Sequence, residues 1–79
     1  MNGAQVRMAR AALKMTVRDL AAAAEVSPNT ITRIEADLPL NPATLGAIRR
    51  ALEAAGVEFT NGDKPGVRLA RDPRAGGNT

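Results

Sequence analysis

Asn29, Thr30, Thr32 and Arg33 fall within one short stretch, "SPNTITRIE", that opens on Ser27-Pro28. Ser is a favoured helix cap, and Pro at the first helical position gives up an N–H that has no helical partner. The stretch therefore predicts a helix from Pro28 to about Ala36. At helical spacing Ile31 and Ile34 share its inner side, which leaves the four polar residues outward. A guanidinium offers a bidentate fork to guanine, a carboxamide offers one to adenine, and Thr can touch a thymine methyl. This is the chemistry of reading base edges, not of making or breaking bonds. Plainer roles stand beside it. Arg33 could be an ordinary solvated helix residue, and Asn29 and Thr30 could simply support a first turn, where Asn and Thr are favoured.

Groups that make and break bonds are scarce in the chain. It has 79 residues, with no Cys and no His. That excludes a disulfide, a thiolate metal site, a thiol nucleophile and the commonest neutral-pH acid and base. Ser27 is the single Ser, with no His or Cys to activate it. The eight carboxylates are scattered, and no Gly-rich phosphate loop follows a predicted strand. Catalysis, metal, cofactor and small-molecule ligand are therefore not expected. Lys and Arg exceed Asp and Glu by eleven to eight, for a net charge of +3. The sequence pI is near 10.6, a balance that suits a nucleic-acid partner. The longest uncharged run, Leu38 to Ile48, is eleven residues. A membrane helix needs about 20, and the first residues do not read as a signal peptide, so a cytoplasmic protein is expected.

The elements that must carry the polar stretch are marked by their caps. Asn2 with Gln5, and Thr16 with Asp19, have the spacing of capping boxes. They predict helices over Gly3–Leu13 and Val17–Ala24. In the first, Val6, Ala9 and Leu13 face inward, with Met8 as a fourth candidate. In the second, Leu20, Ala21 and Ala24 do so. Asn41-Pro42 repeats the Ser27-Pro28 pattern and opens a longer helix to about Ala55, stopped by Gly56. Leu45, Ile48, Leu52 and Ala55 recur at helical spacing there, and Arg49 and Glu53 form an exposed i,i+4 pair. After Gly56 the pattern alternates, which predicts short strands at Val57–Thr60 and Val67–Ala70 around a turn rich in Asn, Gly and Pro. Arg71–Thr79 reads as a disordered tail. Two short helices joined by the tight turn Glu25-Val26-Ser27 have the spacing of a helix-turn-helix, with the polar stretch on the second.

The chain from "MTVRDL" through "GVEF" resembles the XRE, or phage Cro/repressor-like, helix-turn-helix family. The resemblance is carried by "LAAAAEVSPNTITRIE" and "PATLGAIRRALEAAGVEF", and a short group of bacterial regulators shares the ending "GVEF…PGVRL". It implies a mainly α fold, a four-helix domain over residues 1–56 with a C-terminal β-hairpin or dimerising strand over 57–70. It implies base contacts from Asn29, Thr30 and Arg33, with Pro28 and Thr32 at the groove edge. A phosphate contact would come from Ser27, and Arg10 and Glu35 would form an ion pair between the first and third helices; because Val17 cannot hold a phosphate, further backbone anchoring is expected from Arg18, Lys14 or the helix N-terminus. Two positions depart from the family pattern. Val17 stands where a phosphate-binding Gln is usual, and Glu25 stands where the turn usually has Gly.

The hairpin has three readings: a cover for the domain, a seam between two copies, or a docking edge for another protein. A seam would use Val57, Phe59, Val67 and Leu69, and it suits a chain with so small a core. The expected function is a homodimeric regulator, most simply a repressor, that reads a short inverted repeat in double-stranded DNA. The competing expectation is an interaction module on the same scaffold, an antitoxin or antiactivator that sequesters a partner protein.

Overall fold

A computed structural model describes residues 1–60 and 64–69. Four helices come first: α1 (Gly3–Leu13), α2 (Val17–Ala24), α3 (Pro28–Glu35) and α4 (Pro42–Ala54). A two-stranded antiparallel sheet follows, β1 (Val57–Thr60) and β2 (Gly66–Leu69). The fold is thus mainly α with a short hairpin, as the sequence implies. The tail reading at 71–79 and the tip of the hairpin turn lie outside the described residues.

Each helix begins where its cap places it. Both capping boxes close reciprocally, at Asn2 with Gln5 and at Thr16 with Asp19. Ser27 and Asn41 accept from the backbone N–H groups of Thr30 and Thr44, with Pro28 and Pro42 in the first turn. The stops are less uniform. Lys14, Glu25 and Asp37 hold left-handed φ values of 57°, 59° and 59°, and Gly56 holds 113°. Small shifts separate these elements from expectation. Ala36 and Ala55 are caps instead of last helical residues. β2 starts one residue earlier than predicted, because Gly66 pairs with Thr60.

The core is one cluster drawn from every element except β2: Val6, Ala9, Leu20, Ala21, Ala24, Ile31, Ile34, Ile48, Leu52 and Val57. α2 packs on α3 and α4, α1 packs on α3 and β2, and β1 lies against α4. Met8 is a correction to the expected inner face of α1, since it is 41% exposed. Two residues beyond Val6, it is rotated by about 200° from it and lies on the far side of the helix. Among the described residues no helix is long and apolar enough to cross a membrane.

Candidate nucleic-acid interface

α3 is held down by two side chains. Ile31 and Ile34 are buried at 0% and 4% exposure, while Pro28, Asn29, Thr32 and Arg33 are all exposed. The turn before α3 places it across α2. Glu25 caps α2 in the left-handed region, and Val26 N–H donates to Ala21 O at 2.9 Å. A non-glycine residue there carries strain of order 1 kcal/mol. The Glu25 carboxylate is exposed on the turn.

The polar residues of α3 divide by what already occupies them. Thr30 is half-buried, its hydroxyl lies 2.9 Å from that of Ser27, and its N–H donates to Ser27 Oγ at 3.2 Å. These two residues cap their own helix. The Thr32 hydroxyl donates to Pro28 O at 3.2 Å, which leaves its methyl for an apolar contact. Asn29 has no side-chain hydrogen bond among the described residues, and Arg33 has only a long contact, 3.5 Å, to Pro39 O.

The arginines show the same division. Arg49 pairs with Glu53 at 3.0 Å, and Arg68 pairs with Glu58 at 2.7 Å across the hairpin. Arg7 donates to Glu35 O. Arg10 donates to both carboxylate oxygens of Glu35, at 2.7 and 3.1 Å, and to Met15 O at 3.2 Å. The hydrogen bond to Glu35 holds the Arg10 guanidinium above its ordinary pKa, with burial acting against it and the Glu35 charge adding to it. This ion pair bolts α1 to the end of α3 and takes Arg10 out of the surface. Arg18, Lys14 and Arg33 are exposed and have no carboxylate partner among the described residues.

Lys14 caps α1 and Arg18 lies in the first turn of α2, so both stand near the α1–α2 junction. Val17 at the start of α2 is half-buried against the core and offers no side-chain donor.

Three residues that tie α1 to α3 and to the hairpin carried little or no signal of that role in the sequence. Gly3 is buried where α1 crosses the end of α3, and a Cβ there would lie 2.6 Å from Glu35 O. Asp37, expected only as a loop residue, accepts the Gly3 N–H at 2.8 Å and so caps α1 from across the fold. Gln5, expected only as a cap, also donates from Nε2 to Thr60 O and Gly66 O, each at 3.0 Å. Only the capping-box spacing signalled Gln5, and nothing local signalled the other two.

The expected seam residues are placed differently from one another. Val57 is in the core at 2% exposure, Phe59 and Val67 are half-buried against it, and Leu69 is 51% exposed. The strands pair within the chain, Val57 with Leu69 and Phe59 with Val67. The Arg49 guanidinium stacks 5.6 Å from the centre of the Phe59 ring.

A comparison with curated proteins found no match. The family model described as a helix-turn-helix domain matches residues 3–60, all four helices and β1. That coverage places the chain in the helix-turn-helix domain family of the XRE/Cro-like type, a family of DNA-binding regulators.

Proposed function

We propose that this chain is a sequence-specific regulator whose α3 enters the DNA major groove, most simply as a repressor that occludes a promoter. The observation that carries the reading is the pair Asn29 and Arg33: both exposed, both lacking a strong partner among the described residues, and both on a helix anchored by two buried isoleucines. The groove is about 12 Å wide and admits one such helix. Arg33 presents its fork to guanine and Asn29 its amide to adenine, with Pro28, Thr30 and Thr32 lining the contact. Lys14 and Arg18 meet the phosphates, with Ser27 at the helix start. Two copies place their α3 helices about 34 Å apart on an inverted repeat. The protein acts in the cytoplasm, on the nucleoid when bound, and needs no cofactor.

Selection of bound sequences from random duplexes identifies the site and its symmetry together. Arg33→Ala is then titrated on the selected and on a scrambled duplex. The expected result is loss of about 1–3 kcal/mol of preference with weak, salt-sensitive binding retained. Equal loss on both duplexes would count against base reading. Val17 and the exposed Glu25 carboxylate favour a second reading, a module that sequesters a partner protein. A chain that binds no duplex even at low salt would move the assignment there.

A further inference from the structure

α3 turns a narrow polar arc away from its anchor. At about 100° per residue, Ile31 and Ile34 lie about 60° apart on one side of the helix, and Asn29 lies almost opposite the middle of that pair. Arg33 and Thr32 flank Asn29 at about 40° and about 60°, one on each side. Exposure agrees with this placement: the two isoleucines are buried, and Asn29, Thr32 and Arg33 are exposed. Thr30 falls about 100° round from Asn29, toward the buried side. It is half-buried there and hydrogen-bonded to Ser27. Of the two threonines, only Thr32 belongs to the outward arc.

The Thr32 side chain is also held in place. Its hydroxyl donates to Pro28 O, the carbonyl one turn back, at 3.2 Å. A helical Thr divides between two χ1 rotamers, and a bond of this kind selects one of them. Once its proton is engaged, the hydroxyl has none left to donate to a base. What the held side chain adds to the arc is its methyl group, beside the hydrogen-bonding groups of Asn29 and Arg33.

We infer that Thr32 is a specificity-determining residue that reads the C5-methyl group of a pyrimidine in the major groove. The inference rests on the DNA reading proposed above and names one feature of the site that α3 selects. Thymine carries this methyl and cytosine does not. A fixed methyl of the protein gains by taking the pyrimidine methyl out of water, and at an unmethylated C5 that gain is missing. The ligand class is the C5-methylated pyrimidine, so 5-methylcytosine satisfies the contact as thymine does. Thr32 lies about 1.5 Å along the helix axis from Arg33 and about 4.5 Å from Asn29, which puts the methylated base in the same half-site as the bases they contact. The lone pairs of the hydroxyl are the competing reader, since they could accept from adenine N6 or cytosine N4.

The test uses the full chain and the duplex it selects. Each thymine of the half-site is replaced in turn by uracil, which removes only the C5-methyl, and binding is titrated by fluorescence anisotropy. One replacement should weaken wild-type binding about fourfold, the effect of one methyl group returned to water. At that position Thr32→Ser keeps the hydroxyl and loses the methyl, and it should bind the thymine and uracil duplexes equally. Thr32→Val loses the hydroxyl and keeps a methyl, and it should still prefer thymine. With a C·G pair placed there, 5-methylcytosine should bind wild type about fourfold tighter than cytosine. Circular dichroism checks that both variants are folded. A wild type indifferent to every uracil replacement overturns the inference, as does a selected half-site without thymine. A folded Thr32→Ser chain that keeps the thymine preference overturns it too. A folded Thr32→Val chain that loses the preference assigns the reading to the hydroxyl and overturns it as well. A chain that selects no duplex refutes the DNA reading and this inference with it, whereas a selected site indifferent to uracil refutes this inference alone.

Discussion

Gln5→Leu removes one side chain that serves three segments at once. Gln5 is 1% exposed. Its Oε1 accepts the Asn2 N–H at 2.9 Å, and its Nε2 donates to Thr60 O and Gly66 O at 3.0 Å each. Thr60 and Gly66 face each other at the turn end of the hairpin, so one amide closes the hairpin onto the start of α1. Leucine has nearly the same volume and no polar atom, which isolates the hydrogen bonds from packing. Each lost bond contributes about 1 kcal/mol, and each polar group left unpaired in a half-buried place adds to the loss. The three bonds together give about 3 kcal/mol. For a domain of this size that lowers Tm by about 12–24 °C. Gln5→Glu sharpens the test. One carboxyl oxygen can keep the Asn2 N–H, but the other faces two carbonyl oxygens, so the neutral acid is favoured and its folded-state pKa rises above the ordinary value of about 4.3. An acid whose pKa is raised by folding holds more protons in the native state, so stability falls as pH rises through that pKa. Thermal melts followed by circular dichroism between pH 4 and 8 should show Gln5→Glu losing stability toward high pH relative to wild type. Gln5→Leu should run parallel to wild type and lie below it. A Gln5→Leu melt within 3 °C of wild type, or a Gln5→Glu profile with no added slope, refutes this account of how the hairpin is held.

Gly3→Ala should destabilise by about 1–3 kcal/mol although Ala is the better helix former, because its Cβ would meet Glu35 O at 2.6 Å and Ile34 O at 2.7 Å. A melt at or above wild type would show that α1 can slide away from α3. Glu25→Gly should stabilise by about 0.5–1 kcal/mol, since φ at this residue is 59° and glycine adopts that region without strain. Denaturant titration checks both the sign and the size. Glu35→Ala should cost about 2 kcal/mol, because it strands Arg10 in a pair whose side chains are only 23% and 12% exposed. Glu53→Ala breaks a pair exposed at 46% and 43% and should cost less than about 0.5 kcal/mol, and equal losses in the two variants would contradict the burial argument.

The division between sequence and tertiary structure follows the range of each interaction. A cap acts over three residues, so Asn2, Thr16, Ser27 and Asn41 announce every helix start in the sequence itself. Helical and alternating periods likewise separate α4 from β1 at Gly56, and the spacing around Glu25 marks the turn that crosses α2 with α3. The exposed polar residues proposed to read bases, Asn29 and Arg33, are legible for the same reason: a short amphipathic helix sorts its own faces. What holds α1 to α3 and to the hairpin is not legible. Gly3 meets Asp37 34 positions away, and Gln5 reaches Gly66 61 positions away. No local pattern encodes such partners, because they are chosen only when α1 closes over the end of α3 and under the hairpin. The same closure decides that Arg10 is taken by Glu35 and that Met8 and Leu69 are left facing outward, whereas Ser27 and Thr30 occupy each other through a cap that the sequence already holds. Sequence alone determined which polar residues lie on the outer side of α3 and where each helix begins. Packing decided how α1, α3 and the hairpin are held together and which arginines are taken up internally, because both depend on which distant groups the folded chain brings within hydrogen-bonding reach.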